Sequence, residues 1–184
     1  IADAKRGDIG NTSRMYARSF FEQLNFDSIT VNPYMGRDSV EPFLEYNDKN
    51  TIILALTSNE GSKDLQLIST ANDYVFMDLI KSSKTWNNSK NLMYVIGATK
   101  TEYLEEIRKI IPENFLLIPG IGAQGGNLKE VCKKTINNNI GIIINSSRGI
   151  IYSGNDENFA QAAEKEAISL KKQMEEILID SKLI

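Results

Sequence analysis

Short apolar runs alternate with longer amphipathic stretches along the whole chain. The runs are rich in Val, Ile and Leu and are bounded by Gly, Pro, Asn or Ser, so each one predicts a strand. Near-continuous apolar character is typical of parallel strands that are covered on both faces. The predicted strands are Ile1–Lys5, Ser28–Asn32, Thr51–Thr57, Leu92–Gly97, Phe115–Pro119 and Gly141–Asn145.

Helical periodicity separates these strands. The first helix is predicted to begin at Asn11 or Thr12, either of which is suited to cap it, and Pro42 is placed in the first turn of the second. Strands that alternate with helices indicate a parallel sheet, and a doubly wound sheet and a (β/α)8 barrel both fit this order. The later helices are predicted at Ser39–Tyr46, Asn72–Trp86, Thr101–Ile111, Asn127–Ile136 and Glu157–Leu183.

The polar stretch Glu60–Asn72 is long for a connection between a strand and a helix. Long connections of this kind often carry function. We therefore expect it to form a lid or an insertion that contacts substrate.

Composition narrows the class of protein. The 184 residues carry a formal charge of −3, which argues against a basic surface for nucleic acid. No apolar run reaches the roughly 18 residues of a membrane span, and no composition break marks a linker, so residues 1–184 are interpreted as one domain. The single cysteine, Cys132, has no partner for an intrachain disulfide, which indicates a reducing compartment such as the cytoplasm.

The chain contains no histidine. This excludes a Ser-His-Asp triad, a Cys-His pair and any zinc site with histidine ligands within the chain. Acid–base chemistry would fall to Lys, Asp, Glu or Tyr.

A lysine between carboxylates is the first candidate for chemistry. Asp3 and Lys5 stand two apart in the first predicted strand and so share a face, while Asp8 follows in the loop. Nearby carboxylates keep a lysine protonated and held in place, as a cationic acid requires. An ordinary surface ion pair at a strand end also fits this spacing.

Two loops have the composition of an anion site. Pro119–Gly126 places four glycines directly after a strand, which lets backbone N–H groups approach a phosphate, and Gln124 adds a side-chain amide. Arg148 and Gly149 follow the last strand, and an arginine there suits bidentate phosphate binding. Each loop also fits a purely structural interpretation. The first could be an ordinary tight turn, and the second could carry an exposed surface arginine.

Polar and aromatic residues follow two other strands. Ser58 stands among short hydrogen-bonding side chains after the third strand, and Asn32–Gly36 could supply an apolar wall. Ordinary turn residues would have the same composition.

Four motifs together resemble the orotidine 5′-phosphate decarboxylase family, in particular its subgroup in certain bacteria and apicomplexan parasites. They are Asp-Ala-Lys-Arg-Gly-Asp-Ile-Gly-Asn-Thr at residues 3–12, Val-Asn-Pro-Tyr-Met-Gly at 31–36, Pro-Gly-Ile-Gly-Ala-Gln-Gly-Gly at 119–126 and Ser-Arg-Gly-Ile at 147–150. The resemblance implies a (β/α)8 barrel and a homodimer with shared active sites. It also implies a reaction without cofactor or metal.

The resemblance also implies roles for the acidic motif. Lys5 would donate a proton to C6 of the pyrimidine, and Asp3 would lie beside the departing carboxylate. Asp8, Ile9 and Thr12 would reach into the active site of the partner subunit.

The remaining roles concern the nucleotide. Ser58 would contact the amide edge of the pyrimidine, and Pro119 would pack near the ring. Gln124, Arg148 and the backbone of Gly149 would hold the 5′-phosphate.

The chain departs from the family in its first part. Its six predicted βα units fall short of eight, so the first two units of the barrel are expected to be absent from this sequence. Two alternatives therefore stay open. One is a partial barrel that binds phosphate without turnover, and the other is a related decarboxylase of keto-sugar phosphates.

Overall fold

The apolar runs form one parallel sheet in a computed structural model that describes residues 1–122 and 125–184. Within these residues each strand pairs in parallel with the next one in the chain, so the spatial order is β1 to β6. A doubly wound sheet reverses its strand order at a switch point, whereas a barrel wall does not, so this order favours the barrel. The strands are Ala2–Arg6 (β1), Ser28–Val31 (β2), Asn50–Leu56 (β3), Leu92–Ile96 (β4), Leu116–Pro119 (β5) and Ile142–Asn145 (β6).

Helices connect the strands and extend beyond the last one. Short π and 3-10 segments supplement them at Ser19–Gln23, Pro33–Met35 and Ser89–Asn91. The α-helices are Gly10–Arg18 (α1), Arg37–Leu44 (α2), Ser62–Leu65 (α3), Val75–Ser83 (α4), Leu104–Ile110 (α5), Leu128–Thr135 (α6), Arg148–Ile151 (α7) and Phe159–Asp180 (α8).

Several predicted helix starts were wrong, the first two among them. The first helix begins at Gly10 with Ile9 as its N-cap residue, so neither Asn11 nor Thr12 caps it. The second begins at Arg37, which places Pro42 inside the helix rather than in its first turn. Gly36 accounts for the early start, because its φ of 94° turns the chain directly into the helix.

The sheet is buried on both faces, as its apolar runs predict. The larger core lies between the sheet and the helices and includes Ile29, Val31 and Ile53. Ile52 and Met93 belong to a smaller cluster. Because neighbouring strand residues point to opposite faces, this cluster lies on the other side of the sheet from Ile53.

The segment after β3 has hydrogen-bonded structure of its own. It contains α3, and Ser69 and Tyr74 form an antiparallel bridge that closes its second half. The side chain of Gln66 accepts a hydrogen bond of 2.7 Å from the backbone N–H of Thr57, which ties the segment to the end of the strand. The expectation that Glu60–Asn72 contacts substrate stays a prediction.

Within residues 1–122 and 125–184, no helix has the length and apolar character needed to cross a bilayer.

Candidate active site

A lysine–aspartate pair lies at the carboxyl end of β1. The ammonium Nζ of Lys5 lies 2.5 Å from Oδ1 of Asp3, as their spacing predicts. Burial alone would raise the pKa of the Asp3 carboxyl. The hydrogen bonds from Lys5 and Thr30, together with the positive charge of Lys5, outweigh burial and lower the pKa below its usual value. The carboxylate is therefore ionised and the pair carries opposite charges at neutral pH.

Thr30 is a third member of this site that the sequence interpretation missed. Its Oγ1 accepts a hydrogen bond of 2.9 Å from the backbone N–H of Lys5 and donates one of 2.9 Å to Oδ1 of Asp3. A signal was present in the strand pattern, because Thr30 interrupts the apolar pair Ile29 and Val31 and must point to the opposite face.

The next residues of the acidic motif leave the strand. Asp8 lies in the loop after β1, and its Oδ1 accepts a hydrogen bond of 2.8 Å from the backbone N–H of Ile9. Ile9 and Thr12 are exposed at the start of α1. Within the described part of this chain, no hydrogen bond or ion pair joins Asp8 to Lys5. The two residues are therefore not in contact inside one subunit.

A small pocket gathers most of the predicted nucleotide-binding residues. It has a volume of about 110 Å³ and lies at the carboxyl ends of β5 and β6. Ser58 reaches it from the end of β3. The pocket is lined by Ser58, Pro119, Gly120, Ile121, Asn145, Ser146, Ser147, Arg148 and Gly149.

The pocket extends beyond the predicted set. Asn145, Ser146 and Ser147 add an amide and two hydroxyl groups to its lining, and all three directly precede the predicted Arg148. Their position after a strand and before an arginine was the available signal. The predicted residue Gln124 lies outside the described residues.

Residues that follow β4 and α3 support the backbone around Ser58, which lines this pocket. The hydroxyl of Thr99, which follows β4, lies 3.3 Å from the backbone oxygen of Ser58 and donates to it. The preceding residue, Thr57, is fixed by Gln66 through its N–H. The backbone of Ser58 is therefore supported from both sides.

Larger cavities lie away from these residues. A cavity of about 770 Å³ lies between α6 and α8 and contains none of the predicted site residues that the structure describes. A more apolar one, of about 570 Å³, lies near the ends of β2 and β3 and includes Asn32, Pro33 and Tyr34. The expectation that Asn32–Gly36 forms an apolar wall of the site stays a prediction.

The electrostatics of the site suit an anionic ligand. The ammonium of Lys5 lies near the end of β1, and the guanidinium of Arg148 lies at the start of α7. The carboxyl ends of parallel strands lie along the same edge of the sheet. Within residues 1–122 and 125–184 no cluster of three or more carboxylate or thiol side chains is arranged to hold a metal ion. The side chains present can supply a proton and bind a phosphate.

Taken together, the strand order and the pocket define a barrel-type α/β protein with a candidate active site at the carboxyl ends of its strands. Residues 1–163 match the family described as orotidine 5′-phosphate decarboxylase / HUMPS. The chain therefore belongs to the orotidine 5′-phosphate decarboxylase / HUMPS family.

Curated relatives and a solved structure agree with this membership. A protein of Christiangramia forsetii named orotidine 5′-phosphate decarboxylase is 64% identical over 174 residues, which cover 95% of this chain and 64% of the relative. One of the same name from Flavobacterium johnsoniae is 60% identical over 182 residues, covering 99% of this chain and 66% of the relative.

The solved structure of Leishmania donovani OMP decarboxylase superposes with a TM-score of 0.81 at 36% identity. The match covers 95% of this chain and 66% of that one. The chain thus spans a little under two thirds of the length of these proteins.

Proposed function

We propose that the intact protein decarboxylates orotidine 5′-monophosphate to uridine 5′-monophosphate and CO2, the last step of de novo pyrimidine biosynthesis. The observation that carries this proposal is the Lys5–Asp3 pair, with 2.5 Å between Nζ and Oδ1, on the sheet edge that also bears the Arg148 pocket. The names of the relatives at 64% and 60% identity support this substrate over a keto-sugar phosphate.

The reaction needs an acid beside a developing carbanion. When the bond between C6 and the carboxylate breaks, CO2 leaves and the electron pair stays on C6. The ammonium of Lys5 stabilises that charge because it is already fixed by Asp3, and it then transfers a proton from Nζ to C6. Solvent restores the proton on the lysine. Each of these steps uses only groups of the protein, the substrate and water.

Binding of the phosphate is assigned to the far end of the same edge. Arg148, the backbone of Gly149 and Gln124 hold the 5′-phosphate, while Ser58 contacts the pyrimidine amide and Pro119 packs near the ring. The pocket of about 110 Å³ around Arg148 supports this assignment. Binding energy from the phosphate positions the ring without direct involvement in bond breaking.

Asp8, Ile9 and Thr12 are assigned to the active site of a second copy of the chain. The exposure of Ile9 and Thr12 supports a homodimer with shared sites. If Lys5 and Asp8 of one complete site come from different subunits, inactive Lys5→Ala and Asp8→Ala variants should regain activity when they are mixed, because mixed dimers contain one intact site.

The lone thiol of Cys132 suits a reducing cytoplasm.

The assay that tests the function follows the formation of uridine 5′-monophosphate from orotidine 5′-monophosphate by the intact protein. We expect conversion by the wild type and by Lys165→Ala, whose exposed side chain on α8 provides the control. Lys5→Ala should lose conversion but retain binding of the product. Full activity of Lys5→Ala would refute the mechanism, and a wild type that binds the nucleotide without converting it would favour the non-catalytic alternative.

A further inference from the structure

The backbone of Lys5 has a conformation that the β1 sequence does not explain. Its φ is +47°, in the left-handed region that residues other than glycine rarely adopt. The register between β1 and β2 shifts between Ala2 and Arg6, so the regular ladder is interrupted in the stretch that contains this residue. The N–H of Lys5 instead bonds to a side chain, the hydroxyl of Thr30, at 2.9 Å.

The direction of both hydrogen bonds at Thr30 is fixed by chemistry. A backbone N–H can only donate, so the Thr30 oxygen accepts from Lys5. The single hydroxyl proton is then available to Asp3, whose ionised carboxylate can only accept, at 2.9 Å. One oxygen atom therefore links the backbone of the lysine to the side chain of its ion-pair partner.

Burial makes Thr30 the rigid part of this arrangement. The side chains of Lys5 and Asp3 are 52% and 63% exposed, and an exposed ion pair alone holds its partners weakly. Thr30 is 0% exposed, and its branched Cβ restricts rotation about χ1. Its neighbour in register on β3 is Ile52, one of the buried residues of the smaller apolar cluster.

We propose that Thr30 is a positioning residue, whose hydroxyl holds the Lys5 ammonium and the Asp3 carboxylate in the one orientation that the reaction uses. The proposal rests on the proposed function, because it names what fixes the acid of that reaction. Thr30 acts through Asp3 and Lys5, the two residues to which its hydroxyl is bonded.

Three variants of the intact protein separate the hydroxyl from the shape of the side chain. Thr30→Val keeps the shape and removes the hydroxyl, whereas Thr30→Ser keeps the hydroxyl. Thr51→Val is a matched control, because Thr51 is also 0% exposed on the adjacent strand and its Oγ1 has no hydrogen-bond partner among the described residues.

We expect Thr30→Val to lower kcat by roughly 10- to 100-fold, the effect of losing an oriented hydrogen bond to a charged group, with KM changed less than about threefold. Thr30→Ser should stay within about threefold of wild-type kcat, and Thr51→Val should match the wild type. A wild-type kcat in Thr30→Val would overturn the proposal. So would losses of kcat in Thr30→Ser and Thr51→Val as large as the loss in Thr30→Val.

A second measurement does not depend on turnover. The carboxyl ¹³C resonance of Asp3 reports its titration, and Lys5 is the charged group bonded to it. We expect the midpoint to move to higher pH in Thr30→Val, because a hydrogen bond to the ionised form is lost, but not in Thr30→Ser or Thr51→Val. An unchanged midpoint in Thr30→Val would contradict the proposal. If the wild type converts no orotidine 5′-monophosphate, the proposed function fails while this titration still decides the role of Thr30.

Discussion

Gly97, which directly follows β4, lies against the backbone of Ser58. A Cβ atom at position 97 would lie 2.6 Å from the nitrogen of Ser58 and 2.7 Å from its Cα, distances that a methyl group does not tolerate. The N–H of Gly97 donates to the backbone oxygen of Leu56 at 2.7 Å, so the residue itself cannot move away without breaking the sheet. The absence of a side chain at 97 thus fixes where Ser58 meets the pocket.

Gly97→Ala should therefore displace Ser58. We expect a loss of about 1–3 kcal/mol in the free energy of unfolding and a fall of roughly ten- to hundredfold in kcat/KM, since misplaced binding groups lose near-attack geometry. Steady-state kinetics and thermal unfolding of the intact protein measure both.

Gly61→Ala is the matched control. The nearest contact of its new methyl group would be the flexible side chain of Asn59 at 3.2 Å, and no backbone atom crowds it. We expect a free energy of unfolding close to that of the wild type for Gly61→Ala. An equal loss of stability in the two variants would show that crowding against Ser58 does not explain the cost of Gly97→Ala.

Arg148→Ala tests the phosphate pocket. Loss of the charge-assisted interaction with the phosphate, about 1.5–3 kcal/mol in total, should weaken binding of uridine 5′-monophosphate roughly 10- to 100-fold. Titration calorimetry measures this affinity. Arg37→Ala, which removes an exposed arginine paired with Glu41 on α2, should bind as the wild type does. Unchanged affinity in Arg148→Ala would show that Arg148 does not bind the phosphate.

Arg108 secures the amino end of the sheet. Its guanidinium donates to backbone oxygens of Thr135 at 2.8 Å, Asn114 at 2.7 Å and Gly141 at 3.1 Å. Because removal leaves these oxygens without that donor, Arg108→Ala should lower the free energy of unfolding by about 2–4 kcal/mol.

Chemical denaturation measures this loss, and Lys109→Ala, which changes the exposed neighbouring residue, is the control. That variant should unfold within about 0.5 kcal/mol of the wild type. A similar small change in Arg108→Ala would mean that water replaces the guanidinium without cost.

The thiol of Cys132 should be unreactive in the folded protein. The residue is 0% exposed in α6, and burial raises the pKa of its thiol to about 11. Only the thiolate attacks a disulfide reagent, so at pH 8 the ionised fraction is on the order of one in a thousand. We expect slow labelling by a thiol reagent at pH 8 in buffer and rapid labelling in concentrated guanidinium chloride. Rapid labelling of the folded protein would contradict the burial.

The strands were predictable to within one residue at each end because their apolar, branched side chains form continuous runs. Helix starts were less predictable. The fifth helix begins at Leu104 rather than Thr101, because residues 101–103 form a turn before the helix becomes regular. Capping is a local preference of about 1 kcal/mol, which packing readily overrides.

The site was predictable where it depends on local spacing. Asp3 and Lys5 meet because residues two apart in a strand share a face. Thr30 was missed because its role depends on the register shift between β1 and β2, which involves residues far apart in sequence. Ser146 and Ser147 stand beside the predicted Arg148 but were given no role, because a turn composition does not distinguish pocket residues from ordinary ones.

A crystal structure of the intact protein with uridine 5′-monophosphate would show whether Lys5 and the Arg148 pocket serve one nucleotide. We expect the phosphate in the pocket beside Arg148 and Gly149, and C6 of the pyrimidine within about 4 Å of the Lys5 ammonium, as proton transfer requires. A nucleotide bound with its base turned away from Lys5, or with its phosphate outside that pocket, would refute the proposed mechanism.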